Sequence, residues 1–233
     1  RGFYQLLMDV ALHRAGVTVV LDRAGVTGAD GASHNGVWDI AMCSMIPGLR
    51  LAAPRDEETL RARLREALDV DDAPTVIRYR KGALPEPMPA LRSVGGVDIL
   101  FDEAVADSSA RVLIVGTGAC APDAIEAARR LAADGVSVTV ADPQWMIPIC
   151  PELATLAHDY DCVVSVENGI VQGGFGWALR DAVAEAGVPV RCLGVPQGFP
   201  EHGDRAAMIA QFGFDADGIE RAARELVERI GNR

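Results

Sequence analysis

The second half of the chain alternates short apolar runs with amphipathic helical segments, and this alternation constrains the fold more than any other feature. The runs are rich in Val and Ile, the composition of strands that are buried on both faces. They are RVLIVGTGA (111–119), VSVTVAD (136–142), CVVSVEN (162–168) and VRCLGVP (190–196), with helical segments such as PDAIEAARRLAADG between them. Because the connections are short, this order predicts a parallel sheet covered by helices on both faces.

The first part of the chain carries a similar pattern and ends in a segment rich in Pro and Gly. The periodicity predicts helices at 3–14, 37–45 and 55–70 and strands at 17–21, 49–54 and 73–82. Residues 82–96 then hold three prolines and three glycines without any period, which is typical of an interdomain linker.

The predicted fold class is therefore α/β, with two consecutive three-layer α/β units that have mainly parallel sheets. The expected boundaries are 1–82 for the first unit, 83–97 for the linker and 98–233 for the second unit. The chain opens on Arg1, without Met and inside a helical pattern. We therefore expect a fragment of a longer protein, with its first unit incomplete.

Charge and cysteine content narrow the possible classes of function. The net charge of −11 falls on residues 96–233, because residues 1–95 carry 12 basic and 12 acidic side chains. An acidic second half argues against nucleic acid, whose phosphates require neutralisation. No apolar run approaches the roughly 20 residues that span a bilayer, and no signal peptide is evident, so we expect no membrane partner and a cytoplasmic location. The five cysteines form no C-x-x-C pair, which predicts reduced thiols.

The loop DRAGVTGADGASHNG (22–36) is the strongest candidate for a functional site. It leaves the predicted strand at 17–21 at its carboxyl end, where open parallel sheets bind ligands. Its glycines allow positive φ and close approach of the backbone to a ligand. Taken alone, this pattern leaves open whether His34 acts in function or only stabilises the loop.

Two other segments with glycines give weaker signals. VGTGACAPDA (115–124) lacks the third glycine of a dinucleotide fingerprint, and only Asp142 is placed to contact a ribose, so a tight turn is the favoured interpretation. NGIVQGGFG (168–176) could cradle a phosphate at a helix N-terminus, although close backbone packing explains its glycines equally well. The other histidines, His13, His158 and His202, are expected to be structural or exposed.

The loop and its flanks also resemble a known family. DRAGVTGADGASHNGVWDIAMCSMIPGLRLAAPRDEETLR, followed by PTVIRYRKG, resembles the pyrimidine-binding domain of the 1-deoxy-D-xylulose-5-phosphate synthases, which are thiamine diphosphate enzymes of the transketolase superfamily. The second half, with GGFG and FPEHGD, resembles the C-terminal domain of that family. The resemblance covers essentially the whole chain and implies the same two α/β domains.

The resemblance implies a transferase with two small substrates. Pyruvate condenses with D-glyceraldehyde 3-phosphate and loses CO₂, which gives 1-deoxy-D-xylulose 5-phosphate for isoprenoid, thiamine and pyridoxal biosynthesis. The implied cofactors are thiamine diphosphate, which carries the difficult chemistry, and Mg²⁺. The family binds both mainly through a domain upstream of this sequence, so we expect no cofactor-binding or metal-binding residue here. The family also implies a homodimer.

The same resemblance implies two catalytic residues in the loop. His34 matches the loop histidine and is expected to transfer a proton at the acceptor oxygen or to orient the new hydroxyl. Asp30 would accept a hydrogen bond from a hydroxyl of the acceptor, and an Asx-turn is the structural alternative.

Four basic residues are implied for the phosphate of the acceptor. Arg1 matches the arginine of the family stretch Q-R-A-x-D-Q, seen here as RGFYQ. Arg23 is the loop candidate, although a structural pair with a neighbouring carboxylate would also explain it. The family motif R-Y-P-R-G is RYRKG here, so Lys81 takes the phosphate-binding position and Arg80 replaces the proline. Either of them could meet the phosphate.

Two alternatives of other kinds stay open at this point. The chain could belong to another enzyme of the superfamily, a transketolase or the β component of a 2-oxoacid dehydrogenase, although the GADG…H loop favours the synthases. It could also be a non-catalytic α/β dimerisation domain, since no catalytic cluster follows residue 97.

Overall fold

The computed structural model describes residues 2–232, and the first of its two sheets has three parallel strands. The strands are β1 (Thr18–Leu21), β2 (Arg50–Ala52) and β3 (Thr75–Arg78), in the spatial order β1-β3-β2. Val76 of the central strand pairs with Val19 on one side and Leu51 on the other. The carboxyl ends of all three strands therefore lie at one edge.

Three helical segments accompany this sheet. They are α1 (Gly2–Gln5), which continues as π-helical turns over Leu6–Ala11, α2 (Asp39–Cys43) and α3 (Glu57–Leu68). The start of α3 is fixed by Asp56, whose carboxylate accepts a hydrogen bond from the Thr59 N–H at 2.9 Å. Such a cap satisfies one of the free N–H groups of the first turn.

The second sheet has six strands and is parallel in its centre. The strands are β4 (Arg92–Val94), β5 (Val97–Glu103), β6 (Arg111–Gly116), β7 (Ser137–Pro143), β8 (Cys162–Ile170) and β9 (Val190–Val195). Their order is β4-β5-β7-β6-β8-β9, and the pairs β4–β5 and β5–β7 are antiparallel. This edge hairpin follows directly from the segment that joins the two units.

Helices cover both faces of the second sheet. They are α4 (Ala121–Ala133), α5 (Pro151–Ala157), α6 (Phe175–Ala182), α7 (Arg205–Phe212) and α8 (Ala216–Gly231). Along β6, Val112 and Ile114 point to the core formed with α4 and α8, whereas Leu113 and Val115 point to the core that contains α6. Alternate residues of one strand are thus buried on opposite faces, as a continuous apolar run requires.

The two units share one of these cores. Leu51 and Val76 of the first sheet belong to the same cluster as Leu113 and Val115 of the second. The backbone joins the units as well, because the Leu51 N–H donates to the Ile147 carbonyl at 3.0 Å. The units therefore pack as neighbours with a common interior.

A buried ion-pair cluster lies in the same seam. Arg55 places Nη1 2.7 Å from Asp98 and 3.1 Å from Asp142, and all three side chains are almost fully buried. Burial raises the pKa of Asp142 to about 7, although Arg55 opposes this shift. One guanidinium from the first unit thus bridges two carboxylates of the second.

The predicted fold class is confirmed, but strands β4 and β5 were not predicted. The predicted strands at 17–21, 49–54 and 73–82 correspond to β1, β2 and β3. The predicted linker, however, is not without regular structure, since its last part forms β4 and the start of β5. The turn at Gly95 and Gly96 simply reverses the chain between these two strands. Within residues 2–232 no helix is long and apolar enough to cross a membrane.

Candidate functional site

The loop at residues 22–36 forms a compact structure whose two ends meet. The Gly25 N–H donates to the Gly36 carbonyl at 2.7 Å, and the Gly36 N–H returns a bond to Gly25 at 2.9 Å. Gly25 has φ of 82°, which an L side chain rarely adopts. The loop therefore leaves and re-enters the sheet edge at almost the same point.

Asn35 holds the inside of the loop together. Its Oδ1 accepts a hydrogen bond from the Thr27 N–H at 2.9 Å, and its Nδ2 donates to the Gly31 carbonyl at 3.1 Å. The side chain is only 3% exposed, so these bonds replace those that water would make. The turn of 3₁₀ helix at Ala32–His34 is thereby held in place.

Asp30 and Lys81 form an ion pair at the outer surface of the loop. Lys81 Nζ lies 2.9 Å from Oδ1 and 2.7 Å from Oδ2 of Asp30. The hydrogen bond from Lys81 is the main cause of a lowered pKa of Asp30, and the charges of Arg23 and His34 act in the same direction. The structure therefore brings four of the residues that we singled out into one electrostatic neighbourhood.

His34 and Arg23 are both exposed beside this pair. His34 places Nδ1 3.0 Å from the Ser33 hydroxyl, which leaves Nε2 directed away from that contact. Arg23 has φ of 56°, a left-handed conformation at the point where the chain leaves β1. Among the ion pairs formed by residues 2–232, none involves Arg23, so the structural pair with a neighbouring carboxylate is not seen.

Arg80 is not among the main charges that act on Asp30, and Arg1 lies outside the described residues. Arg80 lines a cleft of about 240 Å³ at the carboxyl ends of β2 and β3, together with Arg78 and Asn168. Its Nη1 lies 3.1 Å from the position that a Cβ on Gly82 would occupy. The side chain thus folds back over its own turn, whereas Lys81 reaches across to Asp30.

The second unit contacts the loop directly, which the sequence did not indicate. The Val26 N–H donates to Asn168 Oδ1 at 2.9 Å, and Arg205 Nε donates to the Val26 carbonyl at 3.1 Å. The segment FPEHGD approaches as well, since the Gly203 N–H lies 3.4 Å from the Gly28 carbonyl. The site residues predicted from the sequence all lie before residue 97. The one indication in the sequence was that FPEHGD and the loop resemble segments of the same family.

The two glycine segments of the second unit have packing roles. The N–H groups of Phe175 and Gly176, at the start of α6, both donate to the carboxylate of Glu167 at 2.9 Å. This helix N-terminus is therefore occupied by a side chain of the protein. Asp142, the candidate ribose contact, instead accepts a bond from the Gly118 N–H at 3.2 Å and pairs with Arg55.

No donor set in the described part of the chain suits a divalent cation. Among residues 2–232 there is no group of three His, Cys, Asp or Glu side chains placed to hold a metal ion. Mg²⁺ needs such oxygen ligands, usually carboxylates together with phosphate oxygens. The described residues therefore show no pre-formed cluster of protein ligands for this ion.

Comparison with known proteins identifies the family. The model of the transketolase pyrimidine-binding domain matches residues 1–87, and that of the transketolase C-terminal domain matches residues 103–219. The chain therefore belongs to the transketolase family. A split-gene transketolase, described as an inactive β4 tetramer, superposes with a TM-score of 0.83 at 26% identity over 98% of this chain and 72% of its own.

The most similar sequences narrow the class within this family. The chain is 49% identical over 224 residues to a 1-deoxy-D-xylulose-5-phosphate synthase of Corynebacterium glutamicum, covering 94% of this chain and 35% of that protein. It is 50% identical over 231 residues to a 1-deoxy-D-xylulose-5-phosphate synthase 2 of Kitasatospora griseola, covering 97% and 36%. These relatives confirm the resemblance seen in the loop. The chain spans about a third of the length of the curated relatives it matches.

Proposed function

We propose that the chain supplies the acceptor-binding side of the active site in a 1-deoxy-D-xylulose-5-phosphate synthase. The reaction is the condensation of pyruvate with D-glyceraldehyde 3-phosphate, with loss of CO₂, for isoprenoid biosynthesis. The observation that carries the proposal is the grouping of three side chains around Asp30: His34 and Arg23 of the glycine-rich loop, and Lys81 from the segment after β3. The identity of the relatives, near 50%, supports the same activity.

The charges of this group suit a phosphorylated aldehyde. Arg23 is an exposed guanidinium without an ion-pair partner among the described residues, and guanidinium groups bind phosphate through paired N–H donors. Arg80 and Arg1 are proposed as further contacts for this phosphate. Lys81 has the additional task of fixing the Asp30 carboxylate, which then accepts a hydrogen bond from the acceptor hydroxyl.

His34 is proposed to handle the proton of the acceptor oxygen. When the new carbon–carbon bond forms, the aldehyde oxygen gains negative charge and needs a proton. Release of the product in turn requires that a proton be removed from a hydroxyl group. An imidazole is suited to both steps near neutral pH. The exposed ring of His34, beside Asp30, can approach a substrate above the loop.

The proposal extends to the cofactor and the assembly. Thiamine diphosphate supplies the electron sink of the reaction, and it would be held with Mg²⁺ mainly by residues upstream of this chain, as the resemblance to the family implies. We propose a cytoplasmic homodimer. The match to a transketolase described as a tetramer supports an oligomer.

The activity of the full-length enzyme with His34 replaced tests the proposal. His34→Ala should lower kcat roughly 10²-fold, the value of a lost acid–base group, while the affinity for thiamine diphosphate changes little. His158→Ala is the matched control, because His158 is also exposed but lies in the second unit after α5. Formation of 1-deoxy-D-xylulose 5-phosphate is measured from pyruvate and D-glyceraldehyde 3-phosphate. Full turnover in the His34 variant would contradict the assignment, and no product from the wild-type enzyme would refute the activity itself.

A further inference from the structure

Both backbone polar groups of one loop residue, Val26, are bound by side chains of the second unit. The Val26 N–H donates to Asn168 Oδ1, and the Val26 carbonyl accepts from Arg205 Nε. Val26 itself is only 1% exposed, so water cannot replace either partner. Its neighbours in sequence lead directly to Asp30 and His34, four and eight residues further on.

Asn168 is fixed in a single position by its other contacts. Its side chain is 3% exposed and lies against Gly25, where a Cβ would come within 2.1 Å of Nδ2. The backbone carbonyl of Asn168 accepts a hydrogen bond from Arg78 Nη2 at 3.0 Å, and Arg78 is paired with Asp39 at 2.7 Å. Arg78 thus anchors the backbone of Asn168, and Gly25 packs against its side chain, whose oxygen accepts the hydrogen bond from Val26.

Arg205 approaches the same residue, Val26, from the start of α7. Burial is the main cause of a lowered pKa of Arg205 and the charge of Arg80 adds to it, whereas the charge of Asp123 acts in the opposite direction. No ion pair of the described residues includes Arg205. The Val26 carbonyl is therefore the hydrogen-bond partner of this partly buried guanidinium, which has no carboxylate partner among the described residues.

We propose that Asn168 and Arg205 are positioning residues that act through the loop on the acceptor. They fix the position of the Val26 backbone, and thereby the positions of Asp30 and His34 relative to the substrate. This inference rests on the proposed function for its kinetic test, and catalytic geometry of this kind is sensitive to displacements of about 1 Å. The second unit would thus contribute to acceptor binding through its contacts with the loop.

The first experiment measures the loop itself and does not depend on activity. In the full-length protein, hydrogen–deuterium exchange should become at least about 10-fold faster for a peptide containing Val26 in Asn168→Ala, because the amide loses its buried acceptor. Asn168→Asp keeps an oxygen at the same place and should restore protection. Asn232→Ala is the control, since Asn232 is exposed at the end of α8. Equal exchange in the alanine variant and the control would overturn the inference.

The second experiment separates positioning from simple destabilisation. Asn168→Ala and Arg205→Ala should raise KM for D-glyceraldehyde 3-phosphate about 10-fold and leave KM for pyruvate within about 2-fold. The conservative Arg205→Lys keeps a donor and should recover part of the loss, whereas Arg129→Ala, on the exposed face of α4, should match wild type. If only the amount of active enzyme falls, with both KM values unchanged, the residues merely stabilise the fold and the inference fails.

A double-mutant cycle with His34 completes the test. If Asn168 acts through the loop, Asn168→Ala should cost much less kcat/KM when His34 is already alanine, because the group that it positions is gone. Independent, multiplicative losses would overturn the inference. An inactive wild-type enzyme would refute the proposed function instead, and the exchange experiment would still decide the contact.

Discussion

Lys81 neutralises Asp30 through both carboxylate oxygens, at 2.7 and 2.9 Å. The lysine stands where the family motif has its phosphate-binding arginine. Here it approaches a neighbouring side chain of the loop, so its charge is already balanced before an acceptor binds. We therefore expect the exposed guanidinium of Arg23 to contribute more to phosphate binding than Lys81 does.

Arg23→Ala should weaken binding of the phosphorylated acceptor selectively. Loss of one charge-assisted contact costs about 1.5–3 kcal/mol, or roughly 10- to 150-fold in KM for D-glyceraldehyde 3-phosphate. KM for pyruvate should be unchanged, because pyruvate has no phosphate. Steady-state kinetics with an unphosphorylated aldehyde as second acceptor is the control, and an equal loss with both aldehydes would show that Arg23 only shapes the loop.

Removing Lys81 should shift the acid side of the pH profile. The hydrogen bond from Lys81 holds the pKa of Asp30 below its usual value, so Asp30 stays ionised down to a lower pH. In Lys81→Met this pKa rises, and kcat/KM should fall at a higher pH on the acid side than in wild type. Lys81→Arg retains a cation and serves as the control. A profile of Lys81→Met that coincides with wild type below neutrality would separate the ion pair from function.

Glu167 should make the stability of the fold depend on pH. Burial raises its pKa to about 7 from 4.5, although two backbone N–H groups favour the charged form. The folded protein therefore binds the proton more tightly than the unfolded chain does. The contribution of Glu167 to the free energy of unfolding should fall by about 3 kcal/mol as pH rises from 4.5 to 7 and then level off.

Denaturant unfolding at several pH values measures this slope. Glu167→Gln cannot ionise and should remove the contribution of this residue, whereas Glu185→Gln, exposed in the turn after α6, should retain the wild-type dependence. Identical slopes in both variants would show that Glu167 keeps an ordinary pKa in the folded protein.

Limited proteolysis should locate the joint between the units within 83–91. This stretch has no regular structure, and Leu84 and Leu91 are 61% and 64% exposed. Residues 92–97 take part in the second sheet and should resist cleavage, because backbone in a strand must open first. Mass analysis of the earliest fragments from the native protein gives the site. First cuts inside β1 or β6 would place the boundary elsewhere.

The strands and helices were predictable because their signal is local. Both the uninterrupted apolar run of β6 and the period of α3 can be seen within a dozen residues. The edge strand β4 was missed because Arg92 and Val94 flank a single Ser and lie beside two glycines, so the pairing with β5 gives no pattern of its own. Short exposed edge strands carry little burial and hence little periodicity.

The site was predictable only in part, for a related physical reason. Gly25 and Gly28 mark the loop in sequence, and the family motif marks Asp30 and His34. Nothing local shows that Val26 is bound by Asn168, which lies 142 residues away. A single amide oxygen and a single guanidinium, each acting on backbone, leave no spacing to recognise. Contacts of this kind depend on how two units pack.

The interior shared by the two units also limits how a gene for such a chain can be divided. Leu51 and Val76 are buried against the face of the second sheet that carries Leu113 and Val115. Polypeptides separated within 83–91 would each expose this apolar face during synthesis and would have to find each other before aggregating. A division upstream of the first sheet leaves the interior within one product. Separate translation is therefore compatible with this architecture on the N-terminal side of the loop at residues 22–36 and not on its C-terminal side.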